Sequence, residues 1–184
     1  SYMDMGASFQ MKIKKVIEAK IKRDYLFATG TVDIDCKYFI NKIEEGINHS
    51  NHKNFVTNVK SFMTEWSYFV ADPKFLKIIF PMCDFLDQCK TLRPSDKYFL
   101  QDAWGLKQSF GHFTKEHDHT PAFASGAVFL NTHKQGLYFP EINKTIPAVA
   151  GTFILFSGFL KHKNKRNLLH KERYALAFNF NYTG

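Results

Sequence analysis

The chain has 184 residues, of which 45% are hydrophobic, and this is enough for one domain with a sizeable core. Its formal net charge of +8 permits acidic partners such as nucleic acid. Net charge alone, however, informs only about solubility and the rate at which the protein meets charged partners. No apolar run is long enough to span a membrane, and no signal peptide is evident. The three cysteines lack metal-knuckle spacing, so we interpret them as reduced thiols of a cytoplasmic protein.

The first half of the chain predicts helices behind one or two entry strands. Residues 11–22 and 25–32 have a strand-like composition. A helix is expected over residues 35–45, where an aspartate can cap the start and Gly46 can end it. A second helix is expected from Asp72, an N-cap residue followed by a proline that suits the first helical turn.

The character of the sequence changes from residue 97. Short apolar and aromatic runs alternate there with glycine, asparagine, proline and charged pairs, and no long helical period is present. Short strands at such turn-punctuated spacing are typical of a sandwich or barrel. We therefore predict a single α+β, mainly β domain over residues 1–184. A helical layer, about residues 1–96, would back a jelly-roll core of about residues 97–184.

A histidine pair stands just before a run with strand composition. In an extended chain His117 and His119 point the same way, whereas Asp118 points the opposite way. Two imidazoles on one face can share a metal ion, and His162 offers a third ligand. The alternative is that these are three unconnected surface histidines in a chain that has eight.

The final strand begins at Arg173 and has two distinct faces. One face combines the guanidinium with small and amide side chains, which leaves room beside the charge; it carries Arg173, Ala175, Ala177, Asn179 and Asn181. The other face is apolar enough to pack under the helices. Arginine can bind a carboxylate with two parallel hydrogen bonds, as lysine cannot. The alternative for Arg173 is a salt bridge, for example to Glu116 or Glu141.

Several motifs occur together in order and with sensible spacing over roughly residues 57–182. They are His117-x-His119, Ser125-Gly126-x-x-Phe129-Leu130, Gly151-Thr152-x-x-Leu155-Phe156-Ser157 followed by His162, and Arg173-Tyr174-Ala175-Leu176-Ala177-Phe178-Asn179-Phe180. This set resembles the Fe(II)/2-oxoglutarate-dependent dioxygenases, in particular the prolyl-hydroxylase-like branch of phages and bacteria. The segment Ala103-Trp104-Gly105 is similar to a tryptophan-containing strand of that branch.

The resemblance implies a double-stranded β-helix that holds iron at its open end. His117 and His162 would match the two family histidines, and Arg173 would match the arginine that binds the distal carboxylate of 2-oxoglutarate. Fe(II) and 2-oxoglutarate would be the cofactors, with ascorbate as the reductant in vitro. The reaction would be hydroxylation of an unactivated C–H bond, coupled to decarboxylation of 2-oxoglutarate to succinate.

The chain departs from the family pattern at three positions. The usual carboxylate ligand is replaced by His119, so three neutral imidazoles would leave the ferrous centre with one more positive charge. Asp118 cannot simply substitute, because it lies on the other face unless the strand is bulged. Phe129 stands where many relatives have a tyrosine, and Ala175 lacks a hydroxyl that is often present. Cosubstrate binding would then depend more heavily on Arg173.

Further residues complete the predicted site. We assign Ser125, Asn131 and Asn179 to cofactor binding, and Trp104, Lys163 and Arg166 to substrate binding. The leading hypothesis for the substrate is a protein or peptide side chain, prolyl by resemblance. Nucleic acid is not favoured as a partner, since no nucleic-acid motif is present. The alternatives are an enzyme of the same superfamily that oxidises a nucleobase or small molecule, and a non-catalytic cupin-like metal-binding barrel.

Overall fold

The computed structural model describes residues 22–49, 55–56, 59–89 and 97–183. These residues form two helices, α1 (Cys36–His49) and α2 (Pro73–Gln88). They also form the strands β1 (Phe27–Thr31), β2 (Phe55–Val56), β3 (Val59–Met63), β4 (Lys97–Gln108), β5 (Phe113–His117), β6 (Ala124–Phe129), β7 (His133–Phe139), β8 (Lys144–Ala148), β9 (Thr152–Ser157), β10 (His162–Asn164) and β11 (Arg173–Thr183). A 3-10 turn (Pro140–Ile142) joins β7 to β8.

The strands form one curled antiparallel sheet in the order β1-β9-β6-β11-β4-β3-β5-β10-β7-β8, and β2 pairs with β3. Strand β3 pairs with both β4 and β5, so it joins the two halves of the sheet. The halves face each other, because one core cluster contains side chains from both: Phe129, Phe156 and Ala175 from one half, and Leu137 and Phe139 from the other. The predicted jelly roll is confirmed.

The helices pack on the outer face of the larger half. Leu176, Phe178 and Phe180 of β11 share a core cluster with Phe39 of α1 and Phe75 of α2. The ring centroids of Phe75 and Phe178 are 5.7 Å apart. Burial of each such side chain stabilises the fold by about 1.5–3 kcal/mol. The face of β11 that carries Leu176, Phe178 and Phe180 therefore lies under the helices. The opposite face, which carries Arg173, points to the interior of the barrel.

Both predicted helix starts are confirmed. The carboxylate of Asp72 accepts a hydrogen bond from the Phe75 N–H at 2.9 Å and caps α2. Asp35 likewise accepts from the Tyr38 N–H at 3.1 Å at the start of α1. Side-chain oxygens at these positions satisfy helical N–H groups that have no partner within the helix.

The expected end of the first helix was wrong. Helix α1 continues through Gly46 to His49. A Cβ atom at position 46 would lie 2.7 Å from Thr64 Cγ2 and 2.8 Å from Tyr68 Cζ. Glycine is therefore needed here for the close approach of α1 to the segment after β3, and not as a helix terminator.

The N-terminal region also contributes more to the sheet than the predicted helical layer implied. Strand β1, within the entry strand expected at residues 25–32, pairs with β9, and β3 lies at the centre of the sheet. The strand expected at residues 11–22 lies outside the described residues apart from Lys22. None of the described helices is long and apolar enough to cross a membrane.

Candidate metal centre

Three histidines converge where β5 and β10 meet. His117 ends β5 and is paired across the sheet with His162, which begins β10. His119 lies two residues past β5, and its N–H donates to the Gly158 carbonyl at 2.8 Å. One candidate ligand atom from each of the three lies within 4.8 Å of the others. Asp118 is exposed and caps its own turn by accepting from the Thr120 N–H at 2.9 Å.

The Nδ1 atom of each histidine faces an oxygen. His117 Nδ1 lies 2.8 Å from the Lys115 carbonyl, and His162 Nδ1 lies 3.2 Å from the Leu160 carbonyl. Because a carbonyl only accepts, both Nδ1 atoms carry the proton and both Nε2 atoms keep a lone pair. His119 Nδ1 lies 2.7 Å from Asn179 Oδ1. Oxygen partners of this kind orient histidine ligands around metal ions.

Burial keeps the three imidazoles neutral. It lowers the pKa of His119 to about 4, an effect that the hydrogen bond with Asn179 opposes and the neighbouring His117 reinforces. Burial also lowers the pKa of His162 well below its ordinary value, and both neighbouring imidazoles add to this. The pKa of His117 is also lowered, mainly by burial. Neutral imidazole is the form that binds metal, so the cluster is ready for an ion at neutral pH.

The cluster opens into a cavity of about 70 Å³ inside the barrel. This is room for a few water-sized groups, since one water needs about 10–15 Å³ of such volume. Its wall combines the three histidines and Arg173 with mostly apolar side chains, including Trp104, Leu106, Phe129, Leu137, Phe156 and Ala175. A larger groove of about 480 Å³ between α2 and β1 offers only Lys77 and Asp33 as charged groups. We place the site in the smaller cavity because the chemistry is concentrated there.

Arg173 is a buried cation on the cavity wall, with only 4% of its surface exposed. Its Nε donates to the Gln135 carbonyl at 2.8 Å, and its Nη1 donates to Gln108 Oε1 at 3.1 Å. The Phe129 ring centroid lies 5.1 Å from the guanidinium carbon. Burial lowers the pKa of Arg173 to about 10, so the group remains charged at neutral pH.

No carboxylate of the described residues forms an ion pair with this guanidinium. The two partners considered from the sequence are engaged elsewhere: Glu116 with Lys163 at 3.2 Å, and Glu141 with the Lys161 N–H at 2.6 Å. A buried charge without a counter-ion costs several kcal/mol. The cavity is thus suited to an anion that the described part of the chain does not supply.

A polar network missed at the sequence level supports this cation. Gln108 Oε1 accepts from Arg173 and also from Asn164 Nδ2 at 2.5 Å. Gln108 Nε2 donates to Thr114 Oγ1 at 3.0 Å, and Thr114 lines the cavity. Simple alternation would put Thr114 on the face of β5 opposite His117. The pairing of β5 with β10 shifts register between these positions, and such a bulge brings both to the same side.

Two of the other predicted residues lie beside His119. Ser125 Oγ donates to Asn179 Oδ1 at 2.7 Å, so these side chains form a chain of contacts to the imidazole. Asn131 lies elsewhere: its amide donates to the Glu172 carbonyl at 2.7 Å and accepts from the Tyr174 N–H at 2.8 Å.

The predicted substrate-binding residues separate into two groups. Trp104 lines the cavity and stacks on His119, with ring centroids 6.1 Å apart. Lys163 lies opposite His162 on the other face of β10, where it pairs with Glu116, and it does not reach the cavity. Arg166 Nη1 donates to the Gly111 carbonyl at 2.9 Å, and its guanidinium lies over the Phe113 ring. The structure does not bring these two cations to the histidine cluster.

Trp66 was not identified from the sequence as a candidate site residue. No sequence pattern distinguishes it from an aromatic residue of the core. Its ring centroid is 4.8 Å from that of Trp104, and 41% of its surface is exposed. The two indoles therefore form a continuous aromatic wall from the solvent to His119.

No protein-family model and no curated protein matches this sequence. Solved structures do match in fold. The viral collagen prolyl hydroxylase of Paramecium bursaria Chlorella virus-1, in complex with 2-oxoglutarate, has a TM-score of 0.63 and 18% identity, covering 85% of this chain and 94% of that chain. A Pseudomonas putida prolyl-4-hydroxylase has a TM-score of 0.62 and 13% identity, covering 86% of this chain and 93% of that chain.

HygX from Streptomyces hygroscopicus, solved with nickel and 2-oxoglutarate bound, has a TM-score of 0.59 and 10% identity, covering 84% of this chain and 82% of that chain. At such identities the similarity establishes only that this chain shares the fold of these proteins. It does not by itself carry over an activity or a substrate.

Proposed function

We propose that this protein is an Fe(II)- and 2-oxoglutarate-dependent dioxygenase that hydroxylates a protein or peptide side chain. The observation that carries the proposal is the meeting, in one cavity, of three neutral imidazoles and a buried arginine without a carboxylate partner among the described residues. Neither feature alone distinguishes this class of enzyme from a structural metal site or from a general anion site.

The histidine cluster fits a first-row metal ion. Imidazole suits iron, nickel and zinc. Ligands at about 2.0–2.1 Å from one ion are at most about 4 Å apart. The candidate ligand atoms lie within 4.8 Å of one another, so small side-chain rotations would complete the site. His117, His119 and His162 would then occupy three positions and leave the cavity side open.

The charged and polar groups on the rest of the cavity wall suit 2-oxoglutarate. Arg173 would bind the distal carboxylate through paired hydrogen bonds, held in place by Gln108 and the Gln135 carbonyl. Thr114 adds a hydroxyl on the same wall. One carboxylate of the dianion would pair with Arg173, and the other would offset one of the two charges of Fe(II), because the three histidines contribute none. With His119 in place of the usual carboxylate, the loaded site would therefore keep one net positive charge, which favours retention of the anionic cosubstrate.

Iron and 2-oxoglutarate together supply the oxidising chemistry: 2-oxoglutarate, O2 and a C–H bond give succinate, CO2 and an alcohol. The protein's own side chains have three tasks. The histidines hold the ion, Arg173 fixes the cosubstrate, and the apolar wall around Phe129, Leu137 and Phe156 limits the access of water.

A polypeptide substrate is supported by the aromatic wall and by the prolyl hydroxylases among the similar structures. Aromatic surfaces bind proline-containing segments well, since these are already extended. Oxidation of a nucleobase rests only on the net charge. The alternative of a non-catalytic barrel is supported by His119, which stands in place of the usual carboxylate. That alternative does not explain why a buried guanidinium, that of Arg173, lies beside the histidines.

The test is to measure succinate formed from 2-oxoglutarate with Fe(II) and ascorbate, alone and with separate pools of proline-containing peptides, nucleotides and small molecules. Each pool is then searched for a gain of one oxygen atom. We expect peptide-stimulated succinate that is lost in Arg173→Ala and kept in Lys171→Ala, a matched loss of an exposed cation two residues away. Oxygen gained only by nucleotides or small molecules would reject the polypeptide substrate. No turnover with any of these pools, despite bound metal and cosubstrate, would favour the non-catalytic barrel.

A further inference from the structure

Asn179 is an almost completely buried amide, 9% exposed, that contacts three side chains at once. Its Oδ1 accepts from Ser125 Oγ at 2.7 Å and lies 2.7 Å from His119 Nδ1. Its Nδ2 donates to Asp102 Oδ2 at 3.2 Å. Asn179 is on β11, directly opposite Ser125 on β6 and Asp102 on β4. Three adjacent strands therefore hold the amide in place.

The carboxylate determines which way this amide faces. An ionised carboxylate only accepts hydrogen bonds, so the NH2 group of Asn179 must be the end that faces Asp102. The carbonyl end then faces His119, and a carbonyl also only accepts. His119 Nδ1 must consequently carry the proton, which leaves the lone pair on Nε2, the atom available to an ion.

His119 depends on this contact more than the other two histidines do. His117 and His162 each bond to a main-chain carbonyl two residues earlier in their own segments, Lys115 and Leu160. His119 lies in the loop after β5, and its ring makes its hydrogen bond to a side chain of another strand. The orientation of its ring is thus set from across the barrel.

We propose that Asn179, oriented by Asp102 and Ser125, is the positioning residue that fixes the tautomer and direction of His119. This inference rests on the proposed metal site for its consequence, but the tautomer itself is a property of the protein without metal. Removal of such a partner typically weakens metal binding by about 10–100-fold.

The first experiment uses the metal-free protein with 15N-labelled histidine. In the wild-type protein we expect NMR to find His119 as the Nδ1–H tautomer. Asn179→Ala should give a mixture of tautomers. The double variant Asn179→Asp/Asp102→Asn exchanges the donor and the acceptor across this contact, so it should retain the Nδ1–H signal. Asp102→Asn leaves the core packing nearly unchanged but no longer fixes which end of the Asn179 amide faces His119. It should therefore also give a mixture of the two His119 tautomers. Asn181→Ala, on the same strand and bonded to Gln101, is the matched control and should change nothing.

The second experiment titrates Co(II) alone into the same proteins. We expect Asn179→Ala to weaken binding by about 10–100-fold, the double variant Asn179→Asp/Asp102→Asn to restore most of it, and Asn181→Ala to match the wild-type protein. An unchanged tautomer and affinity in folded Asn179→Ala would overturn the inference, as would a wild-type Nε2–H tautomer. If wild-type protein bound no Co(II), the proposed function would fail instead, and the NMR result would still decide the role of Asn179. Should Asn179→Ala not fold, Asp102→Asn gives the same decision.

Discussion

His117 and His162 face each other across the β5–β10 pair, and their ring centroids are 4.5 Å apart. The sheet fixes their separation, because both residues belong to paired strands. The third member, His119, lies 5.3 Å from His117 and 4.9 Å from His162 by the same measure, in the loop after β5. The sheet thus fixes the positions of two candidate ligands, and side-chain contacts fix the third.

This arrangement predicts unequal effects of ligand substitutions. His117→Ala or His162→Ala should abolish binding of Fe(II) or Co(II) in calorimetric titration, because two imidazoles alone do not make a facial site. His119→Asp should retain binding, since it restores the usual carboxylate. His170→Ala, which removes an exposed ring stacked on Phe110, is the matched control. Loss of metal in His119→Asp would contradict the equivalence of position 119 with the family carboxylate.

A second prediction concerns Arg173. In Ni(II)-loaded protein, Arg173→Ala should weaken 2-oxoglutarate binding by about tenfold or more, because each charge-assisted hydrogen bond contributes roughly 1.5–3 kcal/mol. Arg173→Lys should restore only part of the affinity, since an ammonium cannot form the paired contact. Calorimetry with Lys171→Ala as the control measures both effects. Equal affinity in Arg173→Ala and wild-type protein would refute the assignment.

The elements that follow local rules could be predicted from the sequence. The alternation of β11 correctly put Phe178 under the helices and Arg173 on the inner face, because side chains of a strand alternate regardless of their neighbours. The cap at Asp72 is equally local. The H-x-H spacing and His162 marked the three residues that the fold brings together.

What could not be predicted depends on contacts between distant segments. Thr114 reaches the cavity only because of a bulge, and a bulge leaves no clear mark in the alternation. Glycine is typical of a helix end, but Gly46 lies inside α1, where it allows the helix backbone to approach Thr64 and Tyr68 closely. Trp66 is connected to the cavity only through its contact with Trp104, which lines the wall.

A third prediction follows from the neutral imidazoles. In the folded metal-free protein the pKa of His119 is about 4, below its ordinary value of 6.5, so between these values the unfolded chain binds more protons. Stability should therefore fall as the pH decreases from about 6.5 towards about 4, and this contribution is fully present only above that window. Urea unfolding at about pH 7.5 and about pH 5 measures it. His119→Gln should reduce the pH dependence; an unchanged dependence would show that other groups cause it.

The last prediction concerns substrate binding at the aromatic wall. Trp66 is 41% exposed and contacts Trp104, which in turn stacks on His119. Removing the outer indole should weaken binding of a polypeptide without disturbing the ion or the cosubstrate. Trp66→Ala should raise KM for a proline-containing peptide by about 2–10-fold while kcat changes little, since an aromatic contact contributes about 0.5–1.5 kcal/mol beyond its buried area. Trp66→Phe should recover part of the loss. Phe99→Ala, which removes an aromatic side chain that is 44% exposed on β4, is the control. An equal rise in KM for both alanine variants, or no rise for Trp66→Ala, would remove the aromatic wall from the substrate path.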